Sequence, residues 1–278
     1  MDIGKSLTYY FEDPRWVNKL AIGTGILILS SLFSAVLVGL IGYLIIIGYA
    51  LDVLRNVRNG EQYPMPEWKD RWGEWLVQGV RLVIAVIVWA LPAIIVGMAT
   101  IVPVALTNSN SNFWTTIGGL GIACLWCLVV LWSIIVALVL PGISIRLAET
   151  EKLGATLAFG DILTFTRQHI GDVIIVTLLV MVASVVVSLI ATVVGTLLCL
   201  VGLIVTIPAG TLITYLIQAH LYAQVGMGRG THLATTDETA VSPAPEPAPV
   251  MVAAPVVETA TTAPTVQPED QAPTPESE

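Results

Sequence analysis

The sequence predicts an all-α membrane protein: a polytopic helix bundle of about six segments, with interfacial amphipathic helices and a disordered C-terminal tail. Three observations carry that prediction. Of the 278 residues, 55% are hydrophobic and 12% charged, where a soluble domain carries roughly a quarter charged residues, and the mean hydropathy is +0.84. The apolar residues fall in unbroken runs, such as Ile26 to Leu51 and Val173 to Val205, longer than the roughly 20 residues a helix needs to cross about 30 Å of hydrocarbon. From residue 226 onward the chain is Pro, Ala, Thr, Val and Glu, with nine prolines after residue 240, a composition that buries no core.

Residues 1–19 set Ile3, Leu7, Tyr10 and Phe11 at spacings of three and four among Lys5, Glu12 and Arg15. They read as an amphipathic helix in the headgroup region, ended by Asp13-Pro14. No basic stretch leads into a short apolar segment and cleavage site, so a cleaved signal peptide is not expected. The first apolar run, Leu20 to Leu51, counts 32 residues, too many for one upright helix and few for two full passes. Basic side chains mark the cytoplasmic side of short loops. Lys5, Arg15 and Lys19 precede this run, and Arg55, Arg58, Lys69, Arg71 and Arg81 follow it. Two thin crossings, 20–34 and 37–51, turning near Ser34 to Gly39, keep both clusters inside. Segments 77–106, 117–140, 173–197 and 202–222 then follow, with cytoplasmic stretches 52–76 and 141–172 and a tail at 226–278. Both termini are cytoplasmic in this arrangement, and all twelve basic residues face one side of the cell membrane. The competing arrangement has five segments and an external N-terminus, because a crossing of about 16 residues reaches only about 24 Å.

Charge adds little about function. The net charge is -8, but residues 227–278 hold one arginine, Arg229, and eight carboxylates, which is -7 of it; the remainder has 11 basic and 12 acidic residues. The acidity belongs to the tail, and nothing points to nucleic acid. Cys124, Cys127 and Cys199 all sit inside apolar runs, so the C-x-x-C string reads as small packing residues rather than a redox pair.

The richest polar segment is Gly60 to Asp70. Its prolines stop a helix, and Trp68, Trp72 and Trp75 at i, i+4, i+7 predict one aromatic face on a new helix, an interfacial anchor. Pro66, Glu67, Trp68, Asp70, Trp72 and Trp75 are the candidate surface for a partner or a lipid headgroup. Ser184, Ser188, Thr192 and Thr196 recur every four residues, flanked by Ala183, Ala191 and Gly195, which predicts a helix-packing stripe within the monomer or between subunits. Pro92, Pro103, Pro208 and Gly210 interrupt apolar helices and free carbonyls, as in transporters that bind solutes at broken helices. No catalytic residue and no metal or cofactor is expected. His169, His220 and His232 are scattered, with no phosphate cradle, nucleophile elbow or H-E-x-x-H string. Glu149, Glu151, Asp161 and Asp172 read as a solvated helix face.

At this point the chain resembles the prokaryotic multi-pass membrane proteins filed as domain of unknown function 4013. The resemblance runs from about Leu7 to Gly228. It rests on an aromatic opening with Asp13-Pro14 and Trp16, a Gly-punctuated first run ending in Gly48-Tyr49, a basic stretch to Gly60, and the string Pro66-Glu67-Trp68-x-Asp70. It implies an integral membrane protein and no activity. The expectation is a non-enzymatic structural or interaction protein of the cell membrane, with the bilayer, a protein partner at the loop or tail, and a second copy as its partners. A small-solute transporter or channel is the alternative, and an interfacial lipid-modifying enzyme a distant third.

Overall fold

The computed structural model describes residues 2–109, 111–198 and 202–227. The disorder expected of the tail falls outside those residues, save for 226 and 227. Among the described residues the chain is helical, with no strand.

The opening helix α1 (Ile3–Thr8) is capped by the Asp2 carboxylate, which accepts from the Lys5 amide at 2.9 Å, and runs into a 3-10 turn at Tyr9–Phe11. The first apolar run is split into α2 (Trp16–Leu32) and α3 (Leu37–Arg58). Ahead of the break, the Ser30 and Ser31 hydroxyls donate to the carbonyls of Ile26 and Ile28, competing with the helix ladder where the chain must turn. Both helices run beyond the apolar residues that announce them, to 17 and 22 residues, or about 26 and 33 Å.

Helix α4 (Trp72–Ala99) passes through Pro92 and joins α5 (Ile101–Thr107) at Thr100. Helix α6 (Asn112–Thr150) continues through Pro141 and ends where Glu151 takes φ 54°. Residues 141–172, expected as a connecting stretch, are therefore largely helical. Their first ten extend α6, with Pro141 to Ile145 buried, and α7 (Leu153–Thr156) and α8 (Phe159–Gln168) follow. The chain then forms α9 (Ile170–Leu197) and α10 (Leu203–Ala223).

Among the described residues five helices, counting α4 with α5, are long and apolar enough to cross a membrane; α2 is a shorter apolar helix. The protein is a polytopic helical membrane protein. Helices α3 and α10 form its centre, with α2, α4 and α9 packed on them and α6 against α4. Ile46, Tyr49, Trp75, Leu212 and Leu216 fill the core. Where α3 crosses α4, the backbones touch. A Cβ at Gly48 would overlap the Trp75 carbonyl, and one at Gly79 the Leu44 carbonyl. A second core of Ala85, Trp89, Val139, Ile143 and Ile162 seats α8 on α6, and the Trp89 indole donates to Thr156 O at 3.1 Å to pin α7.

Candidate functional site

The Pro-Glu-Trp segment is built by its neighbours. Past Arg58 the chain turns at Gly60, whose φ of +74° suits a residue without a side chain. The Asn56 amide donates to Pro64 O at 2.9 Å and holds the loop back against α3. Trp68 stacks on Tyr49 with ring centroids 4.3 Å apart and 5° between planes, and its indole N–H donates to Lys19 O at 3.0 Å. Trp75 meets both rings edge-on at 5.2 Å. Its N–H donates to Asp52 Oδ2 at 3.2 Å.

This corrects the expected aromatic face. Helix α4 starts at Trp72, so Trp68 lies in the loop before it, and the cluster points inward. Trp75 is 1% exposed, Trp68 half-buried, and only Trp72, at 37%, borders the surface. Pro66 is half-buried and its carbonyl accepts from the Tyr49 hydroxyl at 3.3 Å. Asp70 is exposed and takes φ 45°, a left-handed conformation that Asp tolerates better than most residues.

Beside the aromatic plug lies a buried ion pair that periodicity did not reveal. Lys19 is 5% exposed; its ammonium donates to Asp13 Oδ2 at 2.5 Å, Met65 O at 2.6 Å and Glu67 Oε1 at 2.9 Å. Asp13 also accepts from the Arg15 amide at 2.8 Å and so turns the chain into α2. Arg15 reaches Glu67 at 3.0 Å. Glu67, a candidate contact residue, thus joins the loop to both cations. These groups wall a polar recess of about 440 Å³ whose remaining rim includes Glu61, Tyr63 and Arg71. The only sequence signal for the pair was a lysine and an aspartate six residues apart across a proline turn.

Around the recess, arginines tie the helix ends together. Asp52 receives Arg71 at 2.6 Å and Arg55 at 3.6 Å. Arg55 also reaches Glu151, and Arg58 reaches Glu149. Their other donors cap helix C-termini, where carbonyls lack partners and a positive charge is favoured: Arg55 Nε donates to Ala148 O at 2.7 Å and Arg58 Nη1 to Ala223 O at 3.2 Å. Arg71 also binds Glu74, and that hydrogen bond pushes its guanidinium above the ordinary value.

The opening segment closes the same end. Tyr9, 2% exposed, donates to Leu216 O at 3.1 Å and stacks on His220 at 4.6 Å, and burial pushes its phenol well above the ordinary value. Ser6 Oγ lies 2.8 Å from His220 Nδ1, the Gln224 amide donates to Ser6 Oγ at 2.9 Å, and the Asp2 amide donates to Gln224 at 2.7 Å. Ile3, Leu7 and Phe11 stay exposed on the outer face of this strap, while Tyr10 turns inward.

The other candidate residues are not gathered here. On α9 the buried positions are Val173 and Val176 in its first turns and, further along, Ala191 and Gly195, which face Gly210, Thr206 and Leu203 of α10. Ser188, Thr192 and Thr196 are exposed, and the hydroxyls of Ser184, Thr192 and Thr196 donate to their own helix backbone. The contact with α10 therefore runs through the small residues that flank the hydroxyl row, Ala191 and Gly195, and not through Ser188, Thr192 and Thr196. Pro92 is exposed on α4, whereas Pro103 is buried against Gly118 and Gly121 of α6. Pro208 lines a recess of about 260 Å³ with Leu27, Tyr43 and Thr211, and Gly210 is buried against α9. Asp161 faces Arg146 at 3.4 Å, and His169 Nδ1 lies 3.1 Å from Phe165 O. Among the described residues, no three His, Cys, Asp or Glu side chains are gathered to hold a metal ion.

No curated protein and no solved structure matches the chain. One family model does, over residues 31–199, and it carries the description protein of unknown function (DUF4013). The match is narrower than the resemblance read from residues: it takes in the Pro66-Glu67-Trp68-x-Asp70 string and leaves out Asp13, Trp16 and Lys19. It covers more than half of the sequence, and the chain belongs to that family of proteins of unknown function.

Proposed function

We propose that the protein is a non-enzymatic interaction protein of the cell membrane, which offers the polar recess at the Pro-Glu-Trp loop to a protein partner on the cytoplasmic side. The observation that carries this reading is the buried Lys19–Asp13 pair with Glu67 on it. It holds the loop in one shape before any partner arrives, which lowers the ordering cost of binding. The recess walls carry three acids, Asp13, Glu61 and Glu67, and three bases, Arg15, Lys19 and Arg71, a mixed surface suited to a polar peptide rather than to a membrane of one charge sign. Transport through the broken helices draws no comparable support, since Pro92 and Pro208 line no common cavity among those described. The enzyme reading needed Glu149, Asp161 and His169 on one cleft, and each is engaged separately.

The test is a photo-crosslinking amino acid at Tyr63, 43% exposed on the rim, in intact cells. One discrete protein adduct is expected. It should persist when residues 228–278 are deleted and vanish with Glu61→Lys. Lipid adducts alone, or none at Tyr63 or Glu61 in normally expressed protein, would refute the reading.

A further inference from the structure

Separate from the polar recess, helices α3, α4, α6 and α10 line a second recess of about 260 Å³, which opens at the helix surface beside Ile87, 47% exposed. Its wall is apolar, with Leu51, Leu54, Leu82 and Val86 among its members. The polar side chains in it, Ser144, Tyr215, Gln218 and Tyr222, all come from α6 and α10. Water needs two to four polar partners to settle in such a space, so a wall this apolar suits a hydrocarbon chain better. One turn further along both α3 and α6, a polar recess of about 340 Å³ is lined by Arg55, Arg58, Asn59, Ala148 and Glu149. Leu54 of the apolar cavity is followed directly by Arg55, and Ser144 stands four residues before Ala148. An apolar slot and a polar slot that holds two arginines and one glutamate are thus stacked on the same pair of helices, which is the layout of one amphiphile.

We infer that this pair of slots binds a single glycerophospholipid, with one acyl chain between α3, α4, α6 and α10 and its phosphate at Arg55 and Arg58. Both guanidiniums are held by their backbone-carbonyl bonds at Ala148 and Ala223, so they stay in place as a phosphate arrives. Of the carboxylates now on them, Glu149 and Glu151 have side chains about half exposed, at 46% and 52%, and swing into water when phosphate replaces them, whereas buried Asp52, 3.6 Å from Arg55, stays with Arg71 at 2.6 Å. Arginine binds phosphate through parallel N–H donors, which favours an anionic phospholipid over a neutral diacylglycerol.

The experiment uses the full chain in dodecyl maltoside micelles free of other phospholipid, with phosphatidylglycerol that carries a diazirine on one acyl chain. Label is expected on peptides of α3 and α10. Ala50→Leu with Ala219→Leu, which fill the slot, should lower it about tenfold. Thr211→Leu, in the recess beside Pro208, should leave it unchanged. Unlabelled phosphatidylglycerol should compete at least about tenfold better than diacylglycerol, and Arg58→Gln should erase that preference. Equal competition by the two lipids overturns the inference. So does wild-type labelling in the filled variant while it remains monodisperse, or label spread evenly over the exposed α9 face at Met181 and Leu189. Should the filled variant aggregate, the competition on the wild-type chain decides alone.

Discussion

Lys19 shows what a single residue carries here. Its ammonium has three acceptors within 3 Å and almost no water, so removing it strands the Asp13 carboxylate in a buried place. Lys19→Met should cost about 3–5 kcal/mol, the usual penalty for breaking a buried pair from one side. Adding Asp13→Asn should return most of that, because Asn keeps an acceptor for the Arg15 amide while shedding the charge. Unfolding in detergent, followed by fluorescence of the Trp68–Trp75 cluster, measures both; a double variant no more stable than the single would show that the pair is not what holds the loop. Tyr9 gives a pH prediction. Its folded phenol is raised by burial, so its contribution is complete below about pH 10, the unfolded value, and is lost as pH rises through the folded one. Limited proteolysis after Lys5 should accelerate above pH 10 in the wild type, and Tyr9→Phe should remove the Tyr9 part of that rise. Neither role was readable from the chain alone, because Lys19 and Tyr9 resemble any snorkelling or interfacial side chain until their distant partners, Met65 and Leu216, are in place.

At the scale of elements, apolar run length set out the helices well and their faces poorly. The α2–α3 turn and the helices α4, α6, α9 and α10 follow from runs and the glycines and serines that punctuate them. A sequence period of four, however, describes several adjacent rows on one helix. On α9 the row Val187, Ala191, Gly195 meets α10, while the Ser and Thr row beside it satisfies its own hydroxyls and faces outward. The two rows predict opposite outcomes. Ala191→Leu should destabilise the protein by about 1–3 kcal/mol through overpacking, whereas Thr192→Leu should stay within about 0.5 kcal/mol. Thermal unfolding separates them, and size-exclusion chromatography of Thr192→Leu adds whether the outward row joins two copies. A Thr192→Leu chain that loses an oligomer would restore the stripe as an intermolecular contact.

Over the whole molecule the decisive fact is which distant residues meet. Lys19, ahead of the first apolar run, touches Met65 and Glu67, beyond it. Arg55 reaches Ala148, Arg58 reaches Ala223, and Asp2 reaches Gln224. The two sides of the α2–α3 hairpin, the end of α6, the end of α10 and the opening strap therefore gather at one end of the bundle, and a chain that leaves and returns to one end crosses an even number of times. Among the described residues five helices have the length and composition of a crossing and α2 is a shorter apolar helix, so an even count predicts that α2 crosses as well. The positive-inside rule predicts a cytoplasmic position for this arginine-rich end. Cysteines introduced one at a time into a chain with Cys124, Cys127 and Cys199 replaced should settle the matter in sealed cells. Lys5→Cys and Lys69→Cys should be shielded from an impermeant maleimide, whereas Asn108→Cys, between α5 and α6, should react. If Lys5→Cys and Lys69→Cys label from opposite sides, α2 and α3 do not form a membrane hairpin, and the polar recess is not the cytoplasmic surface proposed for it.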